Sequence, residues 1–176
     1  MKILKVLAIL LVLLAAIIVI GGIFLPKTYS VSRSAVINAP DSVIYAQIVD
    51  YKAFNQWSPW AKMESNIEYS YTGNPGEVGH GFSWKGDKTG AGEMHILSAT
   101  PYRQVDMELK FIKPFESLAD TKFTISPDAQ GNQVTWTMSG DNNLISKWMC
   151  VFVSMDSMIG KDFESGLQSL KAQAEK

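Results

Sequence analysis

Few side chains in this sequence could carry out chemistry, and a histidine is the first of them. His80 shares its side of a period-two pattern with Phe82 and Trp84, so it is predicted to point inward. An imidazole there could serve as an acid or a base. No Asp, Glu or Cys stands at a spacing that would orient the ring. A histidine packed in the core or at a rim is therefore the favoured interpretation.

Arg33 is the one charged residue predicted on the apolar side of the first strand, where it alternates with Val31 and Ala35. It could bind the carboxylate of a ligand, or it could pair with a helix carboxylate such as Glu164. Because buried charges are normally paired, structural pairing is the expected role.

The remaining motifs of catalytic or metal-binding proteins are missing from the sequence. There is no nucleophile–base pair, no metal-binding set and no inward pair of carboxylates, so the catalytic residues stay unknown and neither a cofactor nor a metal is expected. The glycine-rich segment 86–92 lies between two strands, which indicates a hairpin turn rather than a phosphate cradle. The single cysteine, Cys150, lies in an apolar run and is interpreted as a small buried packing residue.

Aromatic and methionine side chains are the more abundant candidates for a binding site. Trp57 and Trp60 flank Ser58-Pro59 in a predicted loop, which favours a place at the rim of a cavity. Ordinary core packing is the alternative for each of these residues. The candidates for the wall of a cavity are Trp57, Trp60, Phe82, Trp84, Met107, Phe123, Trp136, Met138, Trp148, Phe152, Met155 and Ile159.

These side chains must be positioned by a sheet and one long helix. From Leu144 to about Lys171 apolar residues recur every three or four positions, which predicts a single helix with one apolar stripe. Two short helices are predicted earlier in the chain: one has Pro40 near its start and continues through Val43–Val49, and the other covers roughly Tyr51–Gln56. Period-two alternation and turn residues predict seven strands, at Thr28–Asn38, Ile67–Tyr71, His80–Lys85, Gly90–Ala99, Tyr102–Ile112, Ser117–Ser126 and Gln133–Ser139.

Alternation within the strands predicts one apolar face and one face in water. The apolar face needs the stripe of the C-terminal helix to cover it. The outer face carries Glu93, His95, Asp106 and Glu108. The fold class is therefore α+β, with an antiparallel sheet whose twist makes it curl around the helix.

The N-terminal segment is long and apolar enough to cross a membrane. Val6–Leu25 is uncharged and closed by Pro26-Lys27, and no small-residue cleavage site follows it. An uncleaved anchor over residues 1–26 is favoured over a signal peptide, with the domain occupying residues 28–176. Lys2 and Lys5 indicate an N-terminus on the inside and a domain on the periplasmic side of the membrane.

Length and charge limit the function classes further. Without the leader, roughly 150 residues remain, enough for one domain with a sizeable core. Lys and Arg total 16 against 17 Asp and Glu, and the pI is about 6.1. A nucleic-acid partner, which needs clustered positive charge, is therefore not expected.

Several local phrases resemble the polyketide cyclase/dehydrase-like branch of the START-like (SRPBCC) superfamily. The resemblance covers about residues 28–173. The phrases are Val49-Asp50-Tyr51 leading to Trp57-Ser58-Pro59-Trp60, Gly90-x-Gly92-x-Met94-x-Ile96, Phe111-Ile112-Lys113-Pro114-Phe115, Trp136-x-Met138-x-Gly140, and Gly160-Lys161-Asp162-Phe163-Glu164-x-Gly166-Leu167. The resemblance implies a helix-grip fold, with the first strand beside the last, around a cavity for an apolar ligand.

The resulting hypothesis is a membrane-anchored START-like domain that binds a hydrophobic small molecule or lipid without a demonstrable reaction. The cavity is expected to measure several hundred Å³ and to open between the Trp57–Trp60 loop and the first turns of the long helix. One alternative is a cyclase or dehydratase in which Arg33 or His80 assists proton transfer. Another is an interaction module similar to the chaperone activators of the superfamily, with its cavity filled; the sequence names no protein partner for it.

Overall fold

The structure, a computed structural model, describes residues 2–176. The chain begins with a long helix and continues as a meander of strands closed by two C-terminal helices. The elements are α1 Lys2–Phe24, β1 Thr28–Ile37, α2 Asp41–Val49, α3 Tyr51–Trp57, β2 Glu68–Thr72, β3 Gly81–Gly86, β4 Gly90–Thr100, β5 Gln104–Lys113, β6 Ser117–Asp128, β7 Gly131–Asp141, α4 Leu144–Phe152 and α5 Met155–Ala174. A single 3-10 turn, Trp60–Lys62, follows α3.

The seven strands form one curved antiparallel sheet in the order β1-β7-β6-β5-β4-β3-β2. Each strand from β2 to β7 pairs with its neighbour in sequence, because the connections are short turns. β1 lies beside β7, with Thr28 opposite Asp141 and Ile37 opposite Asn132. The predicted α+β fold is confirmed, including the placement of the first strand next to the last.

The core lies between the apolar face of this sheet and helices α2, α3 and α5. α5 crosses β1 and buries Phe163, Leu167 and Leu170 completely. These residues belong to the predicted stripe, because spacings of three and four place them on one side of a helix. Along β7, Val134 and Trp136 alternate with half-exposed threonines, as the period-two pattern requires.

The prediction of one helix from Leu144 to Lys171 is wrong. α4 ends at Phe152, and α5 begins at Met155. Between them Val153 is extended, at φ −138° and ψ 112°, and the Ser154 side chain accepts a hydrogen bond from the Ser157 amide. An N-cap of this kind starts a new helix. The apolar periodicity concealed the break because Met155 resumes the stripe.

The large apolar side chains of α1 are exposed, and Ile3–Phe24 is long and apolar enough to cross a membrane. A signal sequence has the same length and composition. Only Leu25, Pro26 and Lys27 separate α1 from β1. Asn142 binds this link through its amide, which donates to the Lys27 carbonyl at 2.7 Å, and through its side chain, which donates to the Pro26 carbonyl at 3.3 Å. The link is therefore tied to the end of β7.

Candidate ligand-binding cavity

A cavity of about 310 Å³ lies between the apolar face of the sheet and the segment that follows α3. The sheet contributes residues from β2 to β7, which share the inward side of the pleat. The lining consists of Phe54, Asn55, Ser58, Trp60, Ala61, Met63, Ile67, Tyr69, Phe82, Trp84, Lys88, Thr89, Met94, Leu109, Phe111, Thr121, Trp136, Met138 and Ile159. Its size lies at the lower end of the range of about 300–1,000 Å³ that is typical of small-molecule sites.

The exposed residues of the lining mark its mouth. Met63 is 48% exposed, and Lys88 on the turn between β3 and β4 is also exposed. The cavity therefore opens between the loop after α3 and this turn. The expected opening against the first turns of the long helix differs from this, since Ile159 is the only residue of α5 in the lining.

Glu64 connects the two sides of the mouth. Its carboxylate accepts hydrogen bonds from the Asp87 amide at 3.1 Å, the Lys88 amide at 3.2 Å, the Thr89 amide at 2.9 Å and the Thr89 hydroxyl at 2.6 Å. The bond from the Thr89 hydroxyl, followed by that from the Thr89 amide, lowers the pKa of Glu64 to about 2. Sequence analysis missed this residue, because contacts with backbone amides 23 to 25 positions away leave no pattern in the chain.

A stack of aromatic rings forms the wall of the cavity where the sheet meets α5. The indole of Trp136 lies between Phe123, at a centroid distance of 4.9 Å, and Phe163, at 4.2 Å. Trp60 meets the same indole edge-on at 5.6 Å. Within residues 2–176 the buried indole nitrogen of Trp136 has no hydrogen-bond acceptor. The wall thus offers a large apolar area and one N–H donor.

Half of the predicted cavity residues line the cavity. The structure brings together Trp60, Phe82, Trp84, Trp136, Met138 and Ile159. Sequence analysis missed several lining residues that lie on correctly predicted strands. The alternation of inward and outward side chains along those strands could have identified them: Met94, Leu109, Phe111 and Thr121.

Four predicted residues lie in the core next to the cavity rather than in its lining. Trp57, Met107 and Phe123 are fully buried, and Met155 packs against the edge of the core. Trp57 does not stand at the mouth, because its indole N–H donates to the Gln47 carbonyl at 2.9 Å and holds the ring against α2. The composition of the loop could not distinguish it from Trp60.

Trp148 and Phe152 lie outside the cavity, on α4. Trp148 donates a hydrogen bond to the Ile18 carbonyl of α1 at 3.0 Å, and Phe152 is 83% exposed. Their predicted place in the cavity followed from the single-helix interpretation. Because α4 is separate, its stripe faces α1 and solvent. Cys150 is half-buried on the same helix rather than fully buried.

Arg33 pairs with carboxylates of α5, as its position in the first strand predicted. Its Nε donates to Glu164 at 2.6 Å, while Nη1 and Nη2 donate to Asp156 at 2.7 and 2.9 Å. Asp156 has a lowered pKa because Arg33 binds its charged form through hydrogen bonds. These contacts join β1 to α5, and Arg33 does not line the cavity.

His80 is buried and also lies outside the lining. Its Nδ1 lies 2.8 Å from the Thr72 carbonyl, so this nitrogen carries the proton and donates. The ring stacks on Tyr51 at a centroid distance of 4.9 Å. Among residues 2–176 no group of three or more His, Cys, Asp or Glu side chains is placed to hold a metal ion.

Comparison with known proteins identifies the family. Residues 28–175 match the family described as polyketide cyclase/dehydrase and lipid transport. The chain belongs to this family. The match leaves out α1 and includes every strand and helix around the cavity. No curated protein matches the chain by sequence.

Solved structures share the fold of this polyketide cyclase/dehydrase-like domain at low sequence identity. Protein MLL2253 from Mesorhizobium loti is 15% identical with a TM-score of 0.60, covering 82% of this chain and 95% of its own. Protein CV1439 from Chromobacterium violaceum is 18% identical with a TM-score of 0.58, covering 86% and 99%. Major latex-like protein 151 from Panax ginseng is 14% identical with a TM-score of 0.59, covering 85% and 99%. These similarities confirm the helix-grip fold.

Proposed function

We propose that the cavity binds an apolar or amphipathic small molecule, such as a lipid or a polyketide-like compound, next to a membrane. The observation that carries this proposal is an open cavity of about 310 Å³ with an almost wholly apolar wall. Burial of apolar surface, at roughly 25 cal/mol per Å² before the costs of association, supplies the binding free energy. The family description, which includes lipid transport, supports the same class of ligand.

The polar groups of the lining favour an amphipathic ligand. Lys88 and Thr89 lie at the mouth, whereas the rings of Phe82, Trp84 and Trp136 form the interior. None of the ion pairs described within residues 2–176 involves Lys88. A ligand with a polar or anionic head could place that head beside Lys88 and Thr89 at the mouth and bury its apolar body against the aromatic rings inside.

We also propose that α1 remains on the mature protein as a membrane anchor, with the domain on the periplasmic side. The length and composition of Ile3–Phe24 support the anchor, and Lys2 and Lys5 support the orientation. Intact-mass measurement should find α1 on the membrane-bound protein. Protease added to spheroplasts should digest the domain, and protection of the domain would contradict the orientation.

The alternative functions have less support. An enzyme of the kind considered from sequence would direct Arg33 or His80 into the cavity, yet neither lines it. An interaction module would have its cavity filled. Ligand binding is therefore the function that the geometry supports best.

Photocrosslinking of the full chain in lipid nanodiscs tests the proposal. A fatty acid with a diazirine at the end of its chain should crosslink to peptides of the lining, and unlabelled fatty acid should compete. Leu109→Trp places an indole in the cavity and should abolish these crosslinks, whereas Leu97→Trp, at an exposed position of the neighbouring strand β4, should preserve them. Crosslinks confined to α1, or equal in both variants, would contradict ligand binding.

A further inference from the structure

A second apolar surface, here called the basal surface, lies where α1 joins the domain. We define it by Ile145, Met149 and Phe152 of α4 together with Phe115 and Leu118 of the β5–β6 hairpin. All five are exposed, and Ile145, Phe152 and Phe115 reach 71%, 83% and 80%. Exposed apolar side chains clustered in this way mark a site of interaction with a protein or a membrane.

The strand register places both parts of the basal surface at one end of the sheet. Thr28, the first residue of β1, lies opposite Asp141, the last residue of β7 and the start of the connection to α4. Gly140 lies opposite Ala119, directly after Leu118. The entry of α1, the start of α4 and the tip of the β5–β6 hairpin therefore share this end.

α4 is fixed against the C-terminal part of α1. Trp148 donates to the Ile18 carbonyl at 3.0 Å, and Lys147 Nζ donates to the Gly22 carbonyl at 3.1 Å. A Cβ atom at Gly21 would lie 2.9 Å from the Trp148 ring, so glycine permits this approach. Ile18 is about 9 Å from the end of α1 at 1.5 Å per residue, which is within the depth of about 5–10 Å to which interfacial helices bury their apolar face.

We infer that the basal surface is immersed in the lipid bilayer at the boundary of headgroups and acyl chains, with α4 packed beside the C-terminal part of α1. This inference rests on the proposed anchoring by α1. Residues 142–155 contain no acidic side chain, and Ile18 of α1 continues the apolar surface of α4. Trp148 and Lys147 are residue types that favour the interface. A soluble partner would have to reach into the plane where α1 enters the lipid.

Immersion of the basal surface also gives the cavity a route for its ligand. The β3–β4 turn, which carries Lys88, lies at the same end, since Ala91 pairs with Lys113 beside the β5–β6 hairpin. The mouth of the cavity therefore lies at the end of the sheet where α1 joins the domain. A lipid-derived ligand would have only a short path to it from the bilayer.

Depth-dependent fluorescence quenching of the full chain tests the inference. Single cysteines replace Ile145, Phe152 or Phe115 in a Cys150→Ser background, carry an NBD label, and are reconstituted in phosphatidylcholine/phosphatidylglycerol vesicles. Val78, exposed in the β2–β3 loop at the opposite end of the sheet, is the matched control. Leu11, in the middle of α1, reports on the anchor.

Shallow doxyl lipids should quench the three basal labels several-fold, deep doxyl lipids should quench Leu11, and neither should quench Val78.

Quenching at Leu11 with basal labels that behave like Val78 would overturn the inference and leave the anchor intact. Basal labels shielded from doxyl lipids but self-quenched until the protein is diluted would show a second copy on this surface, which also overturns it. An unquenched Leu11 would overturn both the anchor and the inference, while crosslinking inside the cavity would still test ligand binding independently.

Discussion

The indole of Trp136 on β7 lies parallel to the phenyl ring of Phe163 on α5, with centroids 4.2 Å apart and planes inclined by 6°. This stack joins the sheet to the helix that covers it. Trp136 also lines the cavity, and Phe163 is fully buried behind it. The same contact therefore serves the stability of the fold and the shape of the cavity.

Phe163→Ala should destabilise the domain strongly. Loss of a buried phenylalanine costs about 3–5 kcal/mol, because apolar contacts vanish and a cavity remains. Denaturant unfolding followed by tryptophan fluorescence measures the change. Val78→Ala, at an exposed position of the β2–β3 loop, should change the free energy of unfolding by less than about 0.5 kcal/mol. Equal losses in the two variants would contradict the placement of these side chains.

Gly166→Ala should also destabilise the protein, although alanine is the better helix former by about 0.5–1 kcal/mol. A Cβ at this position would lie 2.9 Å from the Trp136 ring and 3.2 Å from Pro59. The stacked indole cannot move aside, so the steric cost should exceed the gain in propensity. Ser165→Ala, on the exposed side of the same turn, is the control and should be neutral or stabilising. A raised melting temperature for Gly166→Ala would show that Trp136 and Pro59 can shift to accommodate the added methyl group.

Glu64 should make the mouth of the cavity sensitive to acid. Its pKa of about 2 lies below the ordinary value of 4.5, so folding favours the charged form. The resulting stabilisation is complete above pH 4.5 and is lost as the pH falls towards 2. The stability difference between wild type and Glu64→Gln should accordingly shrink over that interval. Glu68→Gln, which removes a long surface ion pair at 3.6 Å, should show little such dependence.

Arg33→Lys should loosen the start of α5 from β1 despite keeping the positive charge. Lysine cannot reproduce the forked contacts to Asp156 and Glu164. Amide hydrogen exchange in the first turns of α5 should therefore accelerate. Lys85→Met, which breaks only an exposed pair, is the control. An unchanged rate of amide exchange in Arg33→Lys would show that the paired contacts of Arg33 with Asp156 and Glu164 do not hold α5 against β1.

Sequence patterns predicted the fold more completely than the cavity. Alternation of apolar and polar residues identified all seven strands, because each strand has one apolar and one polar side. The same alternation predicted that Phe82 and Trp84 point inward, where they line the cavity. The apolar periodicity does not reveal the break at Ser154, because a capping hydroxyl hardly alters that periodicity. Trp148 was consequently assigned to the wrong surface. Contacts between distant segments, such as that of Glu64 with Thr89, arise only from tertiary structure.

The three-residue link from Leu25 to Lys27 limits how far the domain can move from the end of α1. Even fully extended, three residues reach only about 10 Å, and Asn142 fastens the link at both Pro26 and Lys27. If α1 anchors the domain and the cavity binds a lipid, as proposed above, the domain cannot carry that lipid across an aqueous compartment. Transfer over a longer distance would then need a diffusing acceptor or a second membrane close by.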